Sequence, residues 1–214
     1  MKICAISDMH NHAIDLPKCN VLAIAGDISM SGGPAWFEES FIPYLIDQKN
    51  KYDICLLIFG NHDDGIYMND KWKDIEMNIP KNIKVLNNTS FKYNELKFYG
   101  SPNCKYIPGF LNTFNEETLK GIYLNMTDDI DVLITHSPPY GIGDTSNGDC
   151  YHFGSASLLE KVRQIKPKIH IFGHVHTGKK YVKENGTDFF NVSILDEDYN
   201  LAYQPTIINI AGVA

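Results

Sequence analysis

Hydrophobic positions in this chain fall into short unbroken runs. Five stand out: Lys2–Ile6, Val21–Ala25, Ile54–Phe59, Val132–Thr135 and Ile169–Phe172. Short apolar runs closed by Gly or a polar residue predict buried strands. Ile83–Leu86 reads as an edge strand and Phe91–Tyr99 as a hairpin turning at Asn94-Glu95. Lys179–Val182 and Phe189–Ile194 should pair around Asn185-Gly186, a strong hairpin signal. Ile207–Ile210 is expected to be a final strand.

Helical spacing occupies the intervals between these runs. Trp36, Phe37, Phe41, Tyr44 and Leu45 form one apolar face, in a helix that starts near Pro34. Pro43 should kink or split it. Leu119, Ile122, Tyr123 and Met126 form a second stripe, in a helix capped by Asn115 with Glu116 and Glu117 in its first turn. Ser157 to Glu160 has capping-box spacing and opens a third helix that stops at Pro167. The class is α/β. The β-rich second half predicts a second sheet packed on the first.

The polar residues that close the strands carry the chemistry. They are Asp8-Met9-His10, Gly26-Asp27, Gly60-Asn61-His62-Asp63, Thr135-His136 and Gly173-His174-Val175-His176. In open α/β sheets the carboxyl edge of the strands is where ligands bind. Asp8, His10, Asp27, Asn61, His136, His174 and His176 offer carboxylate, amide and imidazole donors without a thiolate. Such a set suits Mn, Fe, Zn or Mg. Seven donors exceed the needs of one ion, so two divalent or trivalent ions are expected, as in two-metal phosphoryl-transfer sites. Asp8 and His10, two apart, should reach one ion from an extended loop. His62 could give a proton to a leaving alkoxide. Asp63 either orients His62 or another ligand, or caps its loop. The Gly-rich loop from Tyr140 to His152 holds Asp144, Asp149 and His152, and His152 is a candidate phosphate contact. His12 is expected to be an exposed loop residue. Tyr106 and Phe110 are expected to pack on the sheet, with base stacking the alternative.

Composition narrows the reading. A chain of 214 residues buries one sizeable core, so a single domain spanning 1–214 is expected. Its hydrophobic fraction of 43% and aromatic fraction of 12% are those of a globular protein. The formal net charge of −7 disfavours binding to long nucleic acid, which needs a basic stripe. It leaves a small phosphate substrate open, because bound metals reverse local charge. The five Cys lack C-x-x-C spacing, which fits a reducing, cytoplasmic setting. Cys4 and Cys55 lie in predicted strands and read as core. The chain opens on a strand, so no signal peptide is expected, and no run approaches the ~20 apolar residues of a membrane span. The sequons at Asn125 and Asn191 read as accidental.

The ordered set D-x-H, G-D, G-N-H-D, H and G-H-x-H resembles the calcineurin-like metallophosphoesterases. Phe98-Tyr99-Gly100-Ser101-Pro102, Thr135-His136-Ser137-Pro138-Pro139, His152-Phe153-Gly154-Ser155 and Asn191-Val192-Ser193 resemble their metallophosphoesterase-domain-containing branch, of small single-domain phosphodiesterases. That resemblance implies a four-layer α/β/β/α sandwich, with two mixed sheets flanked by helices. It implies that Asp27 bridges two ions, with Asp8, His10 and His176 on one and Asn61, His136 and His174 on the other. A metal-bridging hydroxide would be the nucleophile and His62 the general acid. The implied activity is hydrolysis of small phosphodiesters such as cyclic nucleotides. A protein Ser/Thr or small-molecule phosphomonoesterase is the alternative, and a non-catalytic metal-binding scaffold a further one. The protein phosphatase motif G-D-x-x-D-R-G is not matched by Gly26-Asp27-Ile28-Ser29-Met30-Ser31-Gly32.

Overall fold

The computed structural model describes residues 1–67, 79–146 and 150–210. The apolar runs become strands β1 (Lys2–Ile6), β2 (Val21–Ala25), β3 (Ile54–Ile58) and β4 (Ile83–Val85), all parallel. Hairpin β5 (Thr89–Tyr93) and β6 (Leu96–Ser101) follows, then the short pair β7 (Cys104–Lys105) and β8 (Thr113–Phe114). Next come β9 (Val132–Thr135), β10 (Ile169–Phe172), β11 (Tyr181–Glu184), β12 (Thr187–Asn191) and β13 (Thr206–Asn209). One sheet has the order β13-β1-β2-β3-β4 and the other β11-β12-β10-β9-β6-β5. The last strand closes the first sheet, antiparallel to β1, and does not extend the second.

Alternation along each strand builds the layers. Ile3, Ala5, Ile54, Leu56 and Ile58 of the first sheet pack against Phe98, Val132, Ile134, Ile169 and Ile171 of the second. Cys4, Ile6, Leu22, Cys55 and Leu57 face Phe37, Phe41 and Leu45 of the helical segment. Leu133 and Phe172 on the far side of the second sheet meet Tyr123, Leu158 and Val162. Both sheet interiors are therefore dry on both faces, which is why their strands read as continuous apolar runs. Burying Phe98 alone between the sheets contributes roughly 1.5–3 kcal/mol. The result is the expected α/β/β/α sandwich with two mixed sheets.

The helical segment after Gly33 is split as Pro43 requires. It runs as α1 (Pro34–Trp36), a π-type turn (Phe37–Phe41) and α2 (Ile42–Asp47). A short helix α3 (Asp64–Tyr67) follows β3, and α4 (Glu116–Tyr123) is capped by Asn115 as expected. Helix α5 (Ala156–Ile165) corrects the capping box: its cap is Ser155, whose hydroxyl accepts from Leu158 N–H. Ser157 is instead bound by Glu116 of α4. That carboxylate accepts from Ser157 N–H at 2.9 Å, Ala156 N–H at 3.1 Å and the Ser155 hydroxyl at 2.9 Å. An acidic side chain from a neighbouring helix thus satisfies donors that a helix start leaves open. No helix among the described residues is long and apolar enough to cross a membrane.

Candidate metal centre

Every expected ligand sits just past the carboxyl end of a strand, and the two sheet edges face each other there. Ser7 stitches them together. Its hydroxyl donates to Ala25 O at 2.9 Å and its N–H to Val192 O at 3.0 Å. Asp8 N–H donates to Gly26 O at 3.0 Å and His10 N–H to Asp27 O at 3.1 Å, so the two loops are paired backbone to backbone.

The loops are not extended. Asp8, His10, Asp27 and His174 have φ values of 55°, 40°, 50° and 71°, in the left-handed region. Such backbone costs energy for a residue with a Cβ and clusters where function demands it. Strand-like alternation therefore is not what brings Asp8 and His10 together, contrary to the sequence expectation; left-handed turns do it. Glycines make room for them. A Cβ on Gly60 would strike the Asp27 carboxylate, and one on Gly173 would strike Asp8 Oδ2 and Ser7 Oγ.

Three histidines have their orientation fixed from behind. His136 Nδ1 lies 2.7 Å from Ala25 O, His176 Nδ1 2.8 Å from Asp196 O and His62 Nδ1 2.9 Å from Met30 O. A carbonyl only accepts, so each Nδ1 carries a hydrogen. In its neutral form each ring would offer an Nε2 lone pair, the arrangement metal-ligating histidines use. His136 Nε2 lies 3.1 Å from Asn61 Oδ1 and 3.2 Å from Asp27 Oδ2. His10 Nε2 lies 3.7 Å from that same Asp27 oxygen, and His176 Nε2 3.7 Å from Asp8 Oδ1.

Ligand atoms converge in three groups, each within 4.8 Å: Asp8, His10 and His176; Asp27, His136 and His174; and His10, Asp27 and His62. Fit to a cation can be tested on His10. Its ring is buried and neither nitrogen has a hydrogen-bond partner. An orphaned imidazole between two buried carboxylates, Asp8 and Asp27, costs free energy that a bound cation would recover. The donor set fits a metal.

Electrostatics agree. Burial opposes ionisation of Asp27, but His136, then His10 and His62, hold its carboxyl well below the usual range. Burial pulls His136 down while Asp27 lifts it more, to about 9. Burial lowers His10 and His174 to about 4, so both rings stay neutral and free to ligate. His136 would have to give up its extra proton to hold a cation, because a ligand imidazole must be neutral.

These groups open into a cleft of about 290 Å³, lined by His10, Asp27, Asn61, His62, His174 and His176, with Phe110, Phe153, Glu197 and Tyr199 on its walls. A scan of family models matches residues 1–178 to the calcineurin-like phosphoesterase model. The chain belongs to the calcineurin-like phosphoesterase family. It is a hydrolase fold for phosphate esters, and the family implies divalent metal ions. A UPF0046 protein of Caenorhabditis elegans is 30% identical, over 98% of this chain and 81% of that one. Human metallophosphoesterase domain-containing protein 1 is 26% identical, over 98% of this chain and 71% of that one. These relatives match the expected branch. TT1561 of Thermus thermophilus shares the fold at a TM-score of 0.61 and 13% identity, covering 89% of this chain and 88% of that one.

Of the two other candidate residues, Asp63 takes the loop-capping alternative and His152 is held beside the cleft. Asp63 does not touch the His62 ring; its carboxylate accepts from Gly60 N–H at 2.8 Å, Ser29 N–H at 3.0 Å, Ser29 hydroxyl at 3.0 Å and Ile28 N–H at 3.3 Å. It clamps the two loops that present Asp27 and Asn61. Burial and the Asp27 charge push it up to about 7. His152 pairs with Asp144 at 2.9 Å and packs on Tyr140, while its neighbour Phe153 lines the cleft. Asp149 lies outside the described residues. His12 contacts Tyr199 O through Nε2. Phe110 packs against the His62 ring at 4.8 Å, and Tyr106 is exposed.

Sequence reading missed three residues. Asp64 accepts from Leu111 N–H and Asn112 N–H and so anchors the Phe110 loop; the doubled Asp63-Asp64 was its signal. Lys180 donates to His176 O at 2.6 Å and Ser193 O at 3.0 Å under the Tyr203 ring, and burial lowers its ammonium to about 8. Tyr199 comes from a polar turn that nothing in the pattern marks as part of a site.

Proposed function

We propose that this chain is a two-metal phosphodiesterase acting on small diesters, a class that includes cyclic nucleotides. Asp8, His10, Asp27 and His176 hold one ion, and Asp27, Asn61, His136 and His174 hold the other, each Mn, Fe, Zn or Mg. The observation that carries this reading is the position of Asp27 Oδ2, between His136 Nε2 at 3.2 Å and His10 Nε2 at 3.7 Å. Ions bound there would supply Lewis-acid charge to the phosphate and acidify water.

The chain's own groups do the rest. Asp27 Oδ1 accepts the His62 N–H at 2.8 Å and so fixes the acid beside the proposed metals. The Met30 carbonyl takes Nδ1–H, which leaves Nε2 to carry the proton for a departing alcohol. Phe110 against the ring limits the access of water. We read residues 1–214 as one domain. The five free cysteines, four of them buried, suit a reducing compartment such as the cytoplasm.

The test is hydrolysis of bis-p-nitrophenyl phosphate and of p-nitrophenyl phosphate by metal-stripped protein, with Mn²⁺ added back. Metal-dependent turnover favouring the diester supports this reading. Preference for the monoester moves it to a phosphomonoesterase. No turnover of either by metal-loaded protein overturns it and favours a binding scaffold.

A further inference from the structure

We propose that the turn from Asp196 to Asn200 sets the substrate class at the metal cleft. It favours phosphodiesters whose retained arm is uncharged and planar, with Tyr199 as the contact face and Glu197 opposing further negative charge. The inference rests on the phosphodiesterase reading above and names what selects the diester.

Geometry places this turn as one wall of the site. The Tyr199 ring lines the cleft, 37% exposed, with its centroid 4.9 Å from His10 and 5.0 Å from His176. His10 also meets His62 edge-on at 4.7 Å. His62 and Tyr199 therefore both contact one buried candidate ligand. With the alcohol leaving at His62, Tyr199 offers an exposed aromatic wall of the same cleft to the arm that stays on phosphorus. A phenol face there stacks on a planar group, and its O–H is a donor at neutral pH.

The turn is built to hold that pose. Tyr199 has a φ of 61°, unusual for an aromatic residue, so something must enforce it. Asp196 Oδ1 accepts the N–H groups of Asp198 at 3.0 Å and Asn200 at 2.8 Å, and Asp196 O accepts Tyr199 N–H at 3.1 Å. That same Asp196 carbonyl takes His176 Nδ1–H, so wall and ligand are one rigid unit.

Charge points the same way. Glu197 lines the cleft, where one carboxylate oxygen accepts the Thr177 hydroxyl at 2.6 Å. Among the described residues lining the cleft, none is Lys or Arg. A monoester dianion or a polyphosphate would bring a second charge to a wall that offers a carboxylate and no cation. A diester brings a single charge, which the metals would take.

The experiment compares kcat/KM for bis-p-nitrophenyl phosphate and p-nitrophenyl phosphate in Mn²⁺-loaded wild type, Tyr199→Ala, Tyr199→Phe and Glu197→Gln, with metal per chain measured for each. Tyr199→Ala should lower the diester-to-monoester ratio about tenfold, mostly through the diester KM. Tyr199→Phe should keep at least half of the selectivity. Glu197→Gln should lower the ratio about threefold by relieving repulsion of the dianion. Ratios unchanged in metal-replete Tyr199→Ala and Glu197→Gln would overturn the inference while leaving the phosphodiesterase reading intact. A metal-loaded wild type that hydrolyses neither ester overturns the reading beneath it.

Discussion

Asp27 Oδ2 lies 3.2 Å from His136 Nε2 and so ties the edge of one sheet to the edge of the other. Both groups are almost fully buried. Neither would tolerate that position unpaired, so each sheet supplies what the other needs. Replacing Asp27 by Ala should therefore remove more than one ligand's worth of affinity. Metal per chain should fall by half or more, and turnover at least about 100-fold, the upper end of what even an outer partner costs. Elemental analysis alongside p-nitrophenol release checks both. A folded Asp27→Ala that keeps full metal content would sink the shared role.

His62 separates ligation from proton transfer. It belongs to one of the three groups of converging ligand atoms, so it could bind metal instead of serving as acid. As an acid, its loss should lower kcat by about 10²–10⁴ at unchanged metal content. His62→Gln and His62→Ala, assayed after metal loading, decide between the two roles. Parallel loss of metal and rate would make it a ligand.

Chelation should cost stability as well as activity. The apo site keeps two buried carboxylates beside an unpartnered imidazole, and a cation binds only the folded arrangement. At free metal about 100 times Kd, binding adds about 2.7 kcal/mol. For a chain of this length that is a rise in Tm of about 5–10 °C. Thermal melts with EDTA and with Mn²⁺ measure it, and superimposable melts would mean no preformed metal site.

Most of the fold was legible because the chemistry is local. Strands buried on both faces leave unbroken apolar runs, and Asn185-Gly186 announced its hairpin through two left-handed residues, with φ of 50° and 89°. The candidate ligands stood out because each follows such a run. What escaped depended on partners far along the chain. Glu116 caps a helix some forty residues away, so the local Ser157 to Glu160 spacing misled. Tyr199 and Lys180 reach the site only through the packing of the last third of the chain. Left-handed backbone at Asp8 and Asp27 leaves no trace in the identity of an Asp.

His170 gives a pH dependence away from the metal. Its Nε2 lies 2.9 Å from Thr135 Oγ1, whose own hydrogen goes to Ser137 O, so Nε2 must be the donor. Nδ1 is then an unprotonated, buried atom without a partner. Burial lowers the ring to about 3. The unfolded chain, titrating near 6.5, binds this proton before the folded one does. Stability is full above pH 6.5 and falls as pH drops toward 3, by about 1.4 kcal/mol per unit. Between pH 7.5 and 4.5, His170→Gln should therefore lose about 2–3 kcal/mol less than wild type in urea titrations of chelated protein. Equal losses would place the acid sensitivity elsewhere.

Asp63→Asn tests whether this carboxylate clamps loops or tunes the acid. Both oxygens are committed: Oδ1 to Ser29 N–H and hydroxyl, Oδ2 to Gly60 N–H and Ile28 N–H. An amide of the same shape must turn its NH₂ toward one of these pairs, and donor then faces donor in a dry site. Rotating the Ser29 hydroxyl relieves one clash but leaves its N–H unsatisfied. The cost should be about 2–4 kcal/mol of stability, from unsatisfied buried donors. Metal affinity should fall about 10–100-fold, because the clamped loops carry Asp27 and Asn61. The basic limb of the pH–rate profile, where the general acid loses its proton, should not move at saturating metal, since Asp63 has no contact with the His62 ring. A shifted limb with unchanged metal affinity would instead make Asp63 the partner of the acid.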